Sequence, residues 1–201
     1  MDRIRVVGED ALCGALGERL VAAGLPAWQL AGPTIKTGGV TKLVSALPRY
    51  LAQARSVQPV LRIADTDGRC AVALLKDWSL SPTNERLVVR LAVTEAESWL
   101  LADREGFAKT FRIPINKIPH RPDEEHDPKH LILTLAKKSK LRRIRNEVVS
   151  EHDRDKHRTG YNLHLENFAR THWDAQRAAH LSPSLAKALK RLEILGAAPT
   201  R

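Results

Sequence analysis

The chain has 201 residues, 43% of them hydrophobic and 4% aromatic, and a formal net charge of +10. That length suits one domain, or one domain with an extension, and Leu, Val, Ile and Ala can fill its core. Scarce aromatics argue against stacking platforms for single-stranded bases. No apolar run approaches the ~20 residues of a membrane-spanning helix.

The two cysteines, Cys13 and Cys70, form neither a metal-ligand spacing nor a disulfide framework. Both are expected to be buried small hydrophobes in a reducing compartment. The N-terminal MDRIRVV reads as a strand and not as a signal peptide. A soluble cytoplasmic protein with no membrane partner is expected. The charge is uneven: residues 1–110 carry a net +2 and residues 111–201 a net +8. A polyanion suits the second part, because lysine and arginine displace its condensed counterions.

In chain order, RIRVV (3–7) is a β-rich run turned by Gly8. Glu9 and Asp10 then open a helix in which Leu12, Leu16, Leu20 and Ala23 recur at helical spacing, before Gly24 and Pro26 stop it. AWQLAG (27–32) is a candidate second strand. TIKTGGV (34–40) reads as a glycine-containing loop, and TKLVSALPRYLAQARS (41–56) as a helix interrupted or started near Pro48. PVLRIAD (59–65) is the clearest strand, and CAVALLKDW (70–78) is the helix after it. RLVVRLAV (86–93) is a further strand, and TEAESWLLADREGFAKTF (94–111) a single helix. This alternation predicts βαβ units and a mainly parallel, Rossmann-like α/β sheet of about four strands.

From residue 111 the character changes. PINKIPHRPDEEHDPK (114–129) is a proline-rich loop and KHLILTLAKKS (129–139) an amphipathic helix. KLRRIRNEVVS (140–150) follows, then a polar loop, EHDRDKHRTGYN (151–162). LHLENFARTHW (163–173) and SPSLAKALKRLEIL (182–195) are two more helices. The expected organisation is an α/β domain over 1–110 and a basic helical extension over 111–201 packed on it.

Acidic residues fall where strands should end: Glu9, then Asp65 and Asp67 in ADTDG, then Glu95 and Glu97 in VTEAESW. The strand C-termini of a parallel sheet share one edge, where ligands bind. Alternate residues of an extended chain face the same way, so Asp65 and Asp67 can share an ion. Crowded carboxylates repel unless a cation neutralises them, and hard oxygen ligands favour Mg²⁺ or Mn²⁺. Asp10 suffices as the cap of the first helix, which leaves Glu9 for the site. Glu95 and Glu97 differ by two positions, so both reach one site only at a strand–helix junction. Trp99 and Leu100 are expected in the core.

Lys137, Lys138, Lys140, Arg142, Arg143 and Arg145 form a dense basic run whose Leu141 and Ile144 share an anchoring face. Such cations can follow a phosphate backbone; a solvated face is the competing reading. His126, His130, His152, His157 and His164 lack the HExxH pattern or any cysteine partner, and read as surface residues. No GxSxG elbow and no P-loop occur.

The order of a glutamate and then Asp-x-Asp, each after a strand, resembles the Toprim domain of topoisomerases, primases and nucleases of the overcoming-lysogenisation-defect type. VVGEDAL, ADTDG, EAESWLLAD and SPSLAKALKRL together resemble uncharacterised bacterial Toprim-like proteins encoded beside ABC-type ATPases in phage-defence loci. In many Toprim sequences the glutamate precedes the glycine, whereas here Gly8 precedes Glu9. The resemblance implies a Mg²⁺-dependent (or Mn²⁺-dependent) nuclease effector of antiviral defence, with Glu9, Asp65, Asp67 and Glu95 or Glu97 as its acidic site. It implies an ATPase partner and DNA or RNA as target. A catalytically inactive module that docks on an ATPase or on nucleic acid is the alternative, since one fold hosts many functions.

Overall fold

The computed structural model describes residues 2–78, 85–150 and 157–198. The strands are β1 (Arg3–Gly8), β2 (Gln29–Leu30), β3 (Ile35–Lys36), β4 (Val60–Asp65) and β5 (Leu87–Ala92). All their pairings are parallel. β2 lies beside Arg3 and Ile4, and β3 beside Val7 and Gly8, on the flank of β1 away from β4. Together they act as one interrupted edge strand. The sheet therefore has four strand positions in the order β2/β3, β1, β4, β5. The chain leaves β1 towards one flank and returns to the other, so the strand order reverses between β1 and β4. At such a reversal a crevice opens beyond the strand ends.

The first part of the TIKTGGV stretch is thus a strand and not all loop: Thr37 N–H donates to the Gly8 carbonyl at 3.1 Å, continuing the pairing with β1. No local pattern marks a two-residue strand; its partner defines it.

Strand alternation divides the core. Leu61, Ile63, Ile4, Val6 and Val88 join the largest apolar cluster on one face. Val7 and Val60 on the other face pack with Tyr50 and Ala54, and Ala64 and Leu91 with Leu43 and Leu74. The first face is covered by α1 (Ala11–Gly24), which starts where Asp10 accepts from Cys13 N–H at 2.8 Å. A Cβ on Gly8 would come within 2.4 Å of the Gly14 nitrogen, so the glycine before Glu9 lets the first turn of α1 close onto β1.

The second face carries α2 (Val40–Ser45), α3 (Leu47–Ser56) and α4 (Ala71–Asp77). The break at Ala46 precedes Pro48, which has no N–H and fits the first turn of α3. Beyond β5 come α5 (Ala96–Ala102) and α6 (Arg104–Phe111), two helices where the periodicity predicts one. Asp103 divides them. Its carboxylate caps α6 by accepting from Gly106 N–H at 3.1 Å, and it also receives Arg177 from far along the chain.

Two single 3-10 turns, Ile115–Lys117 and Pro122–Glu124, lie in the proline-rich stretch. The helices α7 (Pro128–Lys137), α8 (Arg142–Val148), α9 (Gly160–Thr171), α10 (Ala175–Ala179) and α11 (Pro183–Ala197) follow. α9 begins inside the predicted polar loop, of which 151–156 lie outside the described residues, and the short α10 has no clear sequence signal. The largest cluster runs from Leu12, Leu16 and Leu20 to Phe168, Leu189 and Leu192, so both parts of the chain contribute to one core.

Two smaller expectations fail. Cys13 is buried, but Cys70 is exposed, because it precedes α4 in the turn after β4. Ile144 is 5% exposed, but Leu141 is 39% exposed, since it stands at the start of α8 and not within it.

Candidate functional site

Glu9 stands directly after β1, and its N–H donates to the Ile63 carbonyl at 3.0 Å. Its Oε2 accepts from the Asp65 N–H at 3.3 Å. Glu9 and Asp65 therefore meet on one sheet edge, at the reversal of strand order. Gly38 N–H binds the Glu9 carbonyl at 2.9 Å, and Gly38 and Gly39 have φ of 73° and 119°. Glycine alone adopts that pair of conformations readily, so the loop can close over the glutamate backbone.

Burial raises the Glu9 carboxyl above its ordinary range; the charges of Asp67 and Asp10 add to this, and the Asp65 N–H opposes it. Asp65 is pushed up to about 8, first by burial and then by Glu97, Asp10, Glu9 and Asp67. Among the described residues its Oδ1 accepts only a long contact from the Cys13 thiol, at 3.7 Å. The thiol itself is pushed well up by burial and by Asp65, so it stays protonated.

Asp67 differs from the expected extended geometry. Its φ is 49°, so it no longer alternates with Asp65, and its exposed carboxylate lies 3.8 Å from Arg69. Thr94, after β5, has φ of 61°, a conformation that β-branched residues rarely adopt. Three bonds hold it there. Its N–H donates to Thr66 Oγ1 at 2.8 Å, its Oγ1 donates to the Glu125 carbonyl at 3.1 Å, and its carbonyl accepts from Asp67 N–H at 2.9 Å. Left-handed backbone at the ends of two adjacent strands is strain concentrated at the carboxyl edge.

Glu95 and Glu97 flank the junction into α5: Glu95 is extended and Glu97 lies in the first turn. Glu95 accepts from the Lys129 N–H at 3.2 Å and from its Nζ at 3.3 Å. Glu97 is 4% exposed and accepts from the Tyr161 hydroxyl at 2.9 Å. Burial raises the Glu97 carboxyl, and Glu95 adds to this, while Lys129 and Tyr161 pull it down. Burial works against charge on Lys129, but Glu97, Glu95 and Asp65 outweigh it and hold the ammonium above the ordinary lysine range. Lys129 and Tyr161 were missed in the sequence. Asp127–Pro128 marks a helix start one residue before Lys129, but nothing local connects that helix to Glu95, and Tyr161 sits in a stretch that reads as loop.

The most distinctive sequence motifs bind one another. Trp99 Nε1 donates to Ser184 Oγ at 2.7 Å, Ser182 Oγ to Asp123 Oδ1 at 2.7 Å, and Trp173 Nε1 to the Trp99 carbonyl at 2.9 Å. Asp103 receives two nitrogens of Arg177, at 2.7 and 2.8 Å. EAESWLLAD and the Ser-Pro-Ser stretch thus join α5 to α10 and α11, and only the glutamates of the first face the edge of the sheet.

The basic run forms the turn from α7 into α8. Lys138, Lys140 and Arg142 are exposed, with no side-chain partner among the described residues. Lys137 is half-buried and engaged. Arg143 binds Glu147 at 3.1 Å, and Arg145 Nη1 donates to the Ser139 carbonyl at 2.5 Å. At 1.5 Å per helical residue, Lys138 lies roughly 14 Å along α7 from Lys129. His126, His130 and His157 are exposed, His164 is mostly buried against Glu147 at 2.8 Å, and His152 lies outside the described residues.

Among the described residues, no three His, Cys, Asp or Glu side chains group as a metal cage. Mg²⁺ does not need one: it keeps several waters and is held by one or two carboxylates together with substrate phosphate. Asp65 and Glu9 supply two hard oxygen donors in a place where charge is otherwise unfavourable, and on that ground they fit such an ion. Comparison with family models, curated proteins and solved structures finds no match.

Proposed function

We propose that the acidic edge binds Mg²⁺ or Mn²⁺ and that the protein is a Toprim-like nuclease effector that hydrolyses phosphodiester bonds in DNA or RNA. The observation that carries this reading is Asp65: a carboxyl raised to about 8 at the strand-order reversal, amid Glu97, Asp10, Glu9 and Asp67. Carboxylates that disfavour one another's charge form a place that a divalent cation stabilises. An ion bound there would supply Lewis acidity and an activated water. Asp65 and Glu9 are its holders, with Glu9 also placed to take a proton, and Asp67 stands exposed at the mouth. Lys138, Lys140 and Arg142 are free to meet phosphates away from the scissile bond. The resemblance to Toprim-like proteins encoded beside ABC-type ATPases supports an ATPase partner and a role in antiviral defence.

The second reading is a catalytically inactive docking module. The lack of a three-carboxylate group among the described residues favours it. The two separate when purified protein is incubated with plasmid, single-stranded DNA and tRNA, with Mn²⁺ or with chelator. Cleavage that needs the metal and is lost in Asp65→Ala supports the nuclease. No cleavage of any substrate, with nucleic acid still retained, favours the docking module.

A further inference from the structure

We propose that Lys129 is the resident cation of the acidic edge, competing with a divalent ion for the field of Glu95, Glu97 and Asp65. This rests on the metal-binding reading above and concerns how that site is loaded. Lys129 touches the site through two nitrogens: its N–H and its Nζ each bind a different oxygen of Glu95, at 3.2 and 3.3 Å. It stands in the first turn of α7, so its backbone is fixed by a helix that Asp127 caps through His130 N–H at 2.7 Å. Its side chain keeps 42% of its exposure, against 20% for Glu95, so the ammonium can withdraw into solvent while Glu95 stays in place. Lysine suits such a role, being a compact charge on a flexible stem.

The charge arrangement gives the role its sign. Thr94, bonded to Thr66 and Asp67 just past Asp65, sets Glu95 and its Lys129 partner at the end of β4, and Glu97, Glu95 and Asp65 favour the charged ammonium there. The other cations near the edge are less well placed: Arg69 faces the exposed Asp67 at 3.8 Å. A divalent ion arriving at Asp65 meets the ammonium as a like charge. Loading the metal therefore drives Lys129 outward, and a full ammonium near the site weakens metal affinity.

Calorimetric titration with Mn²⁺ tests this without any activity assay. Lys129→Gln should bind Mn²⁺ roughly three- to tenfold more tightly than the natural protein, from removal of one nearby like charge. Lys129→Arg, which keeps the charge, should stay within about twofold of it. A second measurement needs no variant: mass-spectrometric labelling of amines should modify Lys129 faster once Mn²⁺ is added. Equal or weaker Mn²⁺ binding by Lys129→Gln, or labelling of Lys129 unchanged by Mn²⁺, overturns the proposal and leaves a salt bridge that docks α7. Binding by Lys129→Gln when the natural protein binds no Mn²⁺ supports it most strongly. If neither binds, the metal reading falls too, whereas tight binding by both at equal affinity removes only the role of Lys129.

Discussion

Two aspartates, the half-buried Asp65 and the buried Asp103, separate the candidate site from the scaffold. Asp103 is 1% exposed and is matched on all sides: two nitrogens of Arg177, the Gly106 N–H and the Asp174 N–H. Asp65 receives a thiol at 3.7 Å and, among the described residues, no cation at bonding distance. Its charged neighbours are mostly carboxylates. A matched buried charge ties elements together, whereas an unmatched carboxyl is held protonated until a ligand stabilises its charge. The same residue type thus serves architecture in one place and offers chemistry in the other.

The largest expected effect tests the matched side. Asp103→Ala leaves α6 without its cap and Arg177, itself 42% exposed, without its main partner, and should cost about 2–4 kcal/mol in denaturant unfolding. Asp65→Ala, in metal-free buffer above about pH 8, where the carboxyl is ionised, should cost nothing or raise the melting temperature, because it removes one crowded carboxylate. If both variants lose comparable stability, the contrast between the two aspartates is wrong and Asp65 is a structural partner.

The pH dependence sharpens the same contrast. The folded pKa of Asp65, about 8, lies above the ordinary carboxyl value of 3.8. Between those values the folded state holds a proton that the unfolded state has released. Metal-free stability should therefore fall as pH rises from about 4 to about 8, by on the order of a few kcal/mol. Asp65→Asn should flatten this slope, and added Mn²⁺ should reverse it. Melting curves across that range, with equal flatness in the natural protein and the variant, would remove the argument from Asp65.

Arg62 extends the comparison to a buried cation. It is fully buried in β4, and its Nη2 donates to the Leu43 carbonyl at 2.5 Å while its guanidinium lies 4.6 Å from the Tyr50 ring centroid. Among the described residues its Nε and Nη1 have no hydrogen-bond partner, and burial lowers its pKa to about 10. Arg62→Met should leave stability within about 1 kcal/mol of the natural protein or increase it, since buried charge is often replaced by apolar volume without loss. A loss as large as that of Asp103→Ala would show that a carbonyl and an aromatic face match an arginine as well as a carboxylate does.

The smallest effect concerns the basic turn. Replacing Lys140 and Arg142 by Gln should weaken binding to all sequences alike and reduce the slope of log affinity against log salt by roughly one to two units. The same change at Arg143 and Arg145 should do less, because Glu147 and the Ser139 carbonyl already hold them. Fluorescence titrations at several salt concentrations compare the pairs. Equal slopes for all variants would place the nucleic-acid path elsewhere.

The alternation of strands with helices was legible because burial imposes its own period on each element. PVLRIAD is apolar enough for the central place of β4, and Asp10 and Ser182 mark helix starts through caps that depend on only three or four neighbouring residues. The acidic residues at strand ends were legible for the same reason: a parallel sheet brings its carboxyl ends to one edge whatever the loops do. What was not legible crosses long stretches of chain. Lys129 meets Glu95, Tyr161 meets Glu97, and Arg177 meets Asp103 across separations of 34, 64 and 74 residues. No periodicity records such a pairing. Local sequence therefore determined the parallel α/β layer and the place of Glu9 and Asp65, through residue-to-residue rules of period, cap and strand end. Tertiary packing decided which carboxylates are matched, which stay unmatched, and that Asp67 turns out of line, because only the folded chain sets which charges share a buried space.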